Sequence, residues 1–324
     1  MAELIDDYGR RLNYVRISVT DRCNFRCTYC MPAEGVACID HSLIMRYEEI
    51  LELCRVFHEL GVRKFRFTGG EPLVRKGLVP FLKELKAQLP DVKTALTTNA
   101  SLLSQHAEEL AGAGLHSINV SLDTLDPEKF KKITRIGGID SVFAGVRAAK
   151  EAGIKNIKLN TVLMKGFNDQ EVPALLKYAR REGFRLRLIE FMPLEDGVWS
   201  KDAFISGEEV LRTLPDGGCW RPLTAEADRD GLGPAQYYIN DKTDDVIGVI
   251  TAVSNHFCSS CNRLRVSARG DLRTCLFSPA ETPLRSLIPE PEKLKEAILE
   301  AIKSKPKCWN DIRNGQLHMS GIGG

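Results

Sequence analysis

Cys23, Cys27 and Cys30 stand in the run DRCNFRCTYCMP, with the spacing C-x3-C-x2-C. Three thiolates this close can converge on one iron–sulfur cube, which has four irons. One iron is then left without a protein ligand. An open iron can bind and activate a small molecule, as the open position does at a catalytic zinc. A zinc loop fits less well, because zinc prefers four ligands and no local histidine completes a set. A disulfide fits worse still, since three thiols cannot all pair and no secretory signal is present.

Cys258, Cys261 and Cys275 form a second triad, C-x2-C-x13-C. Cys275 ends a strand-like run after Gly270, and a hairpin would bring it back onto the first pair. Pairs of the C-x2-C type are common zinc halves, and His256 is a candidate fourth ligand. Spacing alone leaves zinc and iron–sulfur even here.

Several basic residues alternate with apolar ones inside strand-like runs. Arg16 lies between Val15 and Ile17, Arg66 between Phe65 and Phe67, Lys158 between Ile157 and Leu159, and Arg187 between Leu186 and Leu188. In parallel strands the apolar neighbours would face covering helices and the cations the opposite, interior face. A solvated edge explains one such residue, but several buried cations call for an anionic ligand. Arg263 and Arg265 repeat the pattern around Leu264.

The elements that must position these groups are short. NYVRISV, KFRFTG, TALTTN, SINVSL, IKLNTVL and RLRLIEFM read as strands. Between them lie amphipathic helices such as YEEILELCRVFHELG, several ending in glycine. Repeated βα units imply a parallel sheet, and six are too few for a closed eight-stranded barrel. The expected fold is α/β: a partial (β/α)6 TIM-like barrel over residues 1–215. A smaller antiparallel β plus helical region carrying the second triad follows over residues 216–324. Its strands are AQYYIN, VIGVI, RLRVSA and DLRTC, joined at Asn240-Asp241 and Gly270-Asp271.

The chain has 324 residues and a net charge of +2, which gives no reason to expect nucleic acid or an anionic membrane as partner. No long apolar run suggests a membrane span. The polar start MAELIDDYGRRLNY is unlike a targeting segment, and ten cysteines without an export signal argue for the cytoplasm. Cys38, Cys54, Cys219 and Cys308 stand alone and read as small buried hydrophobes.

The first cysteine run, with Tyr29 before the third cysteine, resembles the radical S-adenosylmethionine (radical SAM) superfamily. Nearly the whole chain is similar to one of its families, the GTP 3′,8-cyclases of molybdenum cofactor biosynthesis. The likeness rests on Val15 to Pro32, FRFTGGEPLVR, TTN, SLD, NTVLMKGFND, IEFMP, CSSCNRLRVSARGDLRTCL and the terminal Gly323-Gly324.

The resemblance implies two [4Fe-4S] clusters, one on each triad, with SAM bound at the first. It implies SAM contacts at Tyr29, Gly70, Ser121 and Met192. It implies GTP contacts at Arg16, Arg66, Thr97, Lys158, Arg187, Arg263, Leu264 and Arg265, and a Gly-Gly tail that inserts into the site. The implied partners are cyclic pyranopterin monophosphate synthase, which takes the product, and a reductase or flavodoxin-type electron donor. A homodimer is a possible assembly. Two other readings stand beside it: a radical SAM enzyme acting on a peptide, and a non-enzymatic iron–sulfur redox protein.

Two tensions remain in the sequence. Arg187 and Met192 have opposite parity in one run, so a bulge intervenes or one role fails. The family has glycine after TTN, whereas Ala100 stands here and tolerates positive φ poorly, so the turn is expected to differ.

Overall fold

The computed structural model describes residues 3–193, 199–223 and 233–309. Gly323 and Gly324 lie outside these residues. The six expected barrel strands all form: β1 (Tyr14–Ser18), β2 (Lys64–Thr68), β3 (Lys93–Thr98), β4 (Ser117–Ser121), β5 (Ile157–Leu163) and β6 (Arg185–Glu190). Each is parallel to the next and in sequence order. The crossovers are helical: α1 (Tyr47–Glu59), α2 (Leu78–Gln88), α3 (Ala107–Gly112), α4 (Pro127–Thr134) with α5 (Ile139–Glu151), and α6 (Val172–Glu182).

The core lies between sheet and helices. Val15, Ile17, Phe65, Phe67, Leu96, Leu159 and Leu188 meet Leu53, Phe57, Leu82, Leu85, Val142 and Leu175 in one buried cluster. These strand residues share a parity, so the other parity faces inward.

The later strands do not form a separate antiparallel unit. After α7 (Gly207–Thr213) come β7 (Trp220–Pro222), β8 (Gln236–Asn240), β9 (Val246–Ile250), β10 (Arg263–Val266), β11 (Asp271–Arg273) and β12 (Thr282–Pro283). Helix α8 (Pro291–Lys303) follows. β10 adds in parallel to β1, and β9 adds in parallel to β6. Only the pairs beyond them are antiparallel. Among the described residues the result is one twelve-stranded, unclosed sheet, ordered β12-β11-β10-β1-β2-β3-β4-β5-β6-β9-β8-β7. The physical reason is the open barrel itself. Its two edge strands carry unpaired backbone groups, which the later strands satisfy.

The turn after TTN does not relax. Ala100 holds φ at +61°, the left-handed conformation a glycine would take, and its methyl is buried in the core. The N–H of Ala100 donates to Thr98 Oγ1 (3.0 Å), and Asn99 Oδ1 accepts from the N–H of Ser101 (3.0 Å). These side-chain bonds close the turn.

Helix α5 packs onto this turn at Gly145, where a Cβ would stand 2.2 Å from the Ala100 carbonyl oxygen. Helix propensity alone favours alanine over glycine by about 1 kcal/mol. The clash must outweigh it, so Gly145→Ala should destabilise the protein by about 1–3 kcal/mol. Thermal or urea unfolding of both forms checks this, and an unchanged or raised midpoint contradicts the packing.

Candidate functional site

The inner parity of nine strands lines one cavity. Tyr14 and Arg16 come from β1, Lys64 and Arg66 from β2, Thr97 from β3, Asn119 and Ser121 from β4, and Lys158 and Asn160 from β5. Arg187 comes from β6, Tyr237 from β8, Ile250 from β9, and Arg263 and Arg265 from β10. Both cysteine triads open onto the same cavity, as do Tyr29, Gly70 and Met192. Of the residues named from sequence, Leu264 alone does not line it. Its side chain is in the hydrophobic core, paired with Val15, so only its backbone can face a ligand.

The parity conflict between Arg187 and Met192 has a simple resolution. β6 ends at Glu190, so alternation lapses before Met192, and both residues reach the cavity without a bulge.

The first triad sits in the loop after β1. Its backbone is pinned from two directions. Arg26 and Thr28 donate N–H bonds to the carbonyls of Thr134 and Ile133 at the end of α4 (3.0 and 2.8 Å). Arg135, itself at φ +64°, donates its guanidinium to the carbonyls of Arg26 and Met31 (2.9 Å each). Gly69 and Gly70 lie flat against the start of this loop. A Cβ on Gly70 would stand 2.3 Å from the Arg22 carbonyl oxygen, and one on Gly69 would stand 2.5 Å from that of Thr20. The glycines thus allow strand end and cysteine loop to touch, besides leaving the cavity open.

Buried Glu71 completes this support. It accepts from Thr98 Oγ1 (2.7 Å), the N–H of Asn99 (2.7 Å) and the N–H of Leu73 (3.0 Å). Burial raises its pKa to about 7, against these bonds. Tyr29 donates to Asp123 Oδ2 (2.8 Å), and Asp123 Oδ1 accepts from the N–H of Val162 (2.8 Å). Burial pushes the Cys27 thiol well up, with Cys30 and Asp123 adding to it. A bound cationic metal centre would reverse that balance and favour the thiolate.

The second triad is held differently. Lys305 is buried and donates Nζ to the Arg263 carbonyl (3.0 Å), the Thr274 carbonyl and Cys261 Sγ (3.8 Å). Burial would raise the Cys261 thiol, but Arg263 and Lys305 overcome it and bring the pKa down to about 6. Glu190, at the end of β6, accepts from the N–H groups of Gly207 (3.1 Å), Val253 (2.9 Å) and Ser254 (2.8 Å). It thereby fixes the loop leading to Cys258.

His256 does not serve the triad as a ligand. Its Nδ1 donates to the Ala252 carbonyl (2.9 Å), which leaves Nε2 to accept from Trp309 Nε1 (2.5 Å). Among the described residues no three His, Cys, Asp or Glu side chains gather closely enough for a single metal ion. Each triad, three thiols framing an open cavity wall, fits a larger inorganic group such as an iron–sulfur cube.

Seven Lys or Arg side chains line the cavity against two carboxylates, Asp123 and Glu190, and both of these are engaged. Burial brings Arg16 down to about 10, with Arg66, Arg263 and Arg187 also repelling its charge. Arg265 falls well below the usual range through burial, then Arg16 and Arg263. Arg66 donates to Tyr14 Oη (2.6 Å), the Leu96 carbonyl (2.8 Å) and Thr97 Oγ1 (3.3 Å). Arg187 makes two bonds to Asn160 Oδ1 (3.0 and 2.7 Å). Asn119 Oδ1 is buried in the wall with no hydrogen-bond partner, an acceptor left for a ligand.

Comparison with known proteins decides the family. Residues 17–179 match the radical SAM superfamily, and residues 184–310 match a family described as Molybdenum Cofactor Synthesis C. The GTP 3′,8-cyclase of Thermodesulfovibrio yellowstonii is 40% identical over 98% of this chain and 99% of its own. That of Peptoclostridium acidaminophilum is 44% identical over 94% and 92%. The chain belongs to the GTP 3′,8-cyclase family.

As a member of that family it is a radical SAM enzyme of molybdenum cofactor synthesis, and its cofactors are SAM and iron–sulfur clusters. The crystal structure of Streptococcus suis SuiB shares the fold alone, with a TM-score of 0.52 and 18% identity over 63% of this chain and 46% of that one. Among the described residues no helix is long and apolar enough to cross a membrane.

Sequence reasoning passed over Tyr14, Lys64, Asn119 and Asn160. Strand parity was the available signal, since each lies two residues from a residue already chosen. Lys305 and Trp309 carried no local signal.

Tyr14 supplies a pH test. Burial alone would raise its pKa, but Arg66, Arg16 and Lys64 bring it down to about 7. Below that value the phenol is neutral; above it, a phenolate cancels one cation. Affinity for a nucleoside triphosphate should therefore fall as pH rises through about 7. Tyr14→Phe should flatten the profile and remove one near-neutral tyrosinate transition from the ultraviolet difference spectrum. An identical profile and spectrum in the variant refutes the assignment.

Proposed function

We propose that this enzyme converts GTP to 3′,8-cyclo-7,8-dihydro-GTP. The ribose C3′ loses its hydrogen and bonds to C8 of the guanine, closing a ring. The observation that supports this most is the shared cavity: two cysteine triads and seven cations face one space. A cavity with that charge suits a triphosphate, and a peptide substrate would need no such ring.

Cys23, Cys27 and Cys30 would hold the first [4Fe-4S] cluster, which when bound with SAM supplies the 5′-deoxyadenosyl radical that takes the C3′ hydrogen. Tyr29, Gly70, Ser121 and Met192 would hold SAM. Cys258, Cys261 and Cys275 would hold the second cluster beside the guanine. Arg16, Arg66, Lys158, Arg187, Arg263 and Arg265 bind the triphosphate and base, with Thr97 and the Leu264 backbone as further contacts. Their work is placement. A primary carbon radical attacks most C–H bonds, so C3′ must be held close and solvent kept out. The buried wall does both. The product passes to cyclic pyranopterin monophosphate synthase, and a reductase or flavodoxin-type protein supplies electrons, in the cytoplasm.

Two variants test the division of labour after anaerobic reconstitution. Cys261→Ala should lose about four irons per chain and all cyclised product, yet still bind SAM. Cyclisation without the second cluster would sink its role. Arg265→Ala should weaken GTP binding by about one to two decades, the worth of a charge-assisted hydrogen bond, and leave SAM affinity alone. Isothermal titration with each ligand decides, and normal GTP affinity rejects the cationic wall at that residue.

A further inference from the structure

Cys308 stands beside the second triad without belonging to it. Its thiol and that of Cys258 are hydrogen-bonded to each other, and the Trp309 backbone N–H donates to the Cys258 sulfur. Cys258 lines the cavity and Cys308 does not. This is not the isolated buried hydrophobe that sequence suggests. Cys54 is that, enclosed in the core, whereas Cys308 is half-buried.

The approach of the two sulfurs is built in. Arg10, buried and paired with Asp6 (2.6 Å), donates to the carbonyls of Cys258 (2.8 Å), Pro306 (2.8 Å) and Lys307 (3.2 Å). One guanidinium thus ties the Cys258 backbone to the residues just before Cys308. Lys305 anchors the same segment to the carbonyls of Arg263 and Thr274. Phe277 and His256 pack on the Trp309 ring, each with centroids 4.9 Å away. The segment is held on both sides of Cys308.

We propose that Cys258 and Cys308 are a redox pair: when the second triad carries no cluster they form a disulfide, which withdraws Cys258 from the ligand set until a thiol reduces it. This rests on the reading of Cys258 as a cluster ligand. The oxidant is a low-molecular-weight disulfide. One thiolate of the pair attacks it, releasing one small thiol and leaving a mixed disulfide. The other thiolate then attacks the protein sulfur of that mixed disulfide and releases the second small thiol. Two protein thiols are oxidised, one small disulfide is reduced, and the protons of the pair end on the two small thiols. With the cluster in place, Cys258 is committed to iron and the reaction is blocked. After cluster loss, the disulfide keeps Cys258 from the irreversible sulfinic stage.

The test uses the full chain, stripped of iron anaerobically and treated with oxidised glutathione. Trypsin places Cys258 and Cys261 in the peptide 243–263 and Cys308 in the peptide 308–313. Mass spectrometry without reduction should find these two peptides linked in wild type and in Cys261→Ser, and not in Cys308→Ser. On reconstitution the oxidised wild type should take up about four fewer irons than the same protein reduced first. Oxidised Cys308→Ser should show a smaller deficit. Linkage of Cys258 to Cys261 in place of Cys308 overturns the pairing and leaves the functional reading standing. If Cys308→Ser is iron-poor even when kept reduced, Cys308 is a ligand and the switch is refuted. If Cys258→Ser binds full iron when reduced, the ligand role fails, although the wild-type link would still form.

Discussion

Seven cationic side chains converge on one cavity whose two carboxylates are already committed to backbone N–H groups. Removing a charge from water costs several kcal/mol after relaxation, and like charges add repulsion. Arg16 and Arg265 register both effects as pKa values pulled down by burial and by each other. Such a wall is favourable only when an anion fills it. The cavity therefore stores unfavourable electrostatics that an anion would relieve. Tyr14, poised near neutrality among Arg66, Arg16 and Lys64, partly offsets that cost.

The parallel sheet makes this wall possible. Strands buried on both faces are usually apolar throughout. Here most strands turn their apolar residues toward the helices, so much of the interior is free to carry charge. Register aligns Arg265, Arg16 and Arg66 on neighbouring strands β10, β1 and β2. The later strands are thus part of the barrel wall. Without β10 beside β1, Arg263 and Arg265 would not face the same cavity as Arg16.

Two buried carboxylates do corresponding work at strand ends. Glu71 joins the end of β2 to the turn after β3, next to the first triad. Glu190 joins the end of β6 to the start of α7 and the loop before Cys258. Each satisfies several backbone donors that would otherwise be orphaned in a buried loop. The loops bearing the cysteines are consequently held by scaffold elements rather than by the cysteines alone. Asp6 and Arg10 extend the same logic to the chain's far end, through the carbonyls of Cys258, Pro306 and Lys307.

The sequence by itself determined what depends on local spacing and period. The triads, the six barrel strands and the inward parity of Arg16, Arg66, Lys158 and Arg187 are all local patterns, legible because strand side chains alternate strictly. Tertiary structure decided what depends on contacts between distant segments. That β9 and β10 extend the barrel in parallel could not be read, since a short strand carries no mark of which edge it will join. Ala100 keeps a left-handed turn because Thr98 and Asn99 close it and the core buries its methyl. Leu264 and Arg265 are neighbours in sequence but lie on opposite faces of the sheet. Lys305 and Cys308 reach the second triad through pairings more than thirty residues away in sequence, set by Arg10 and the packing of Trp309, and no local pattern encodes such closure.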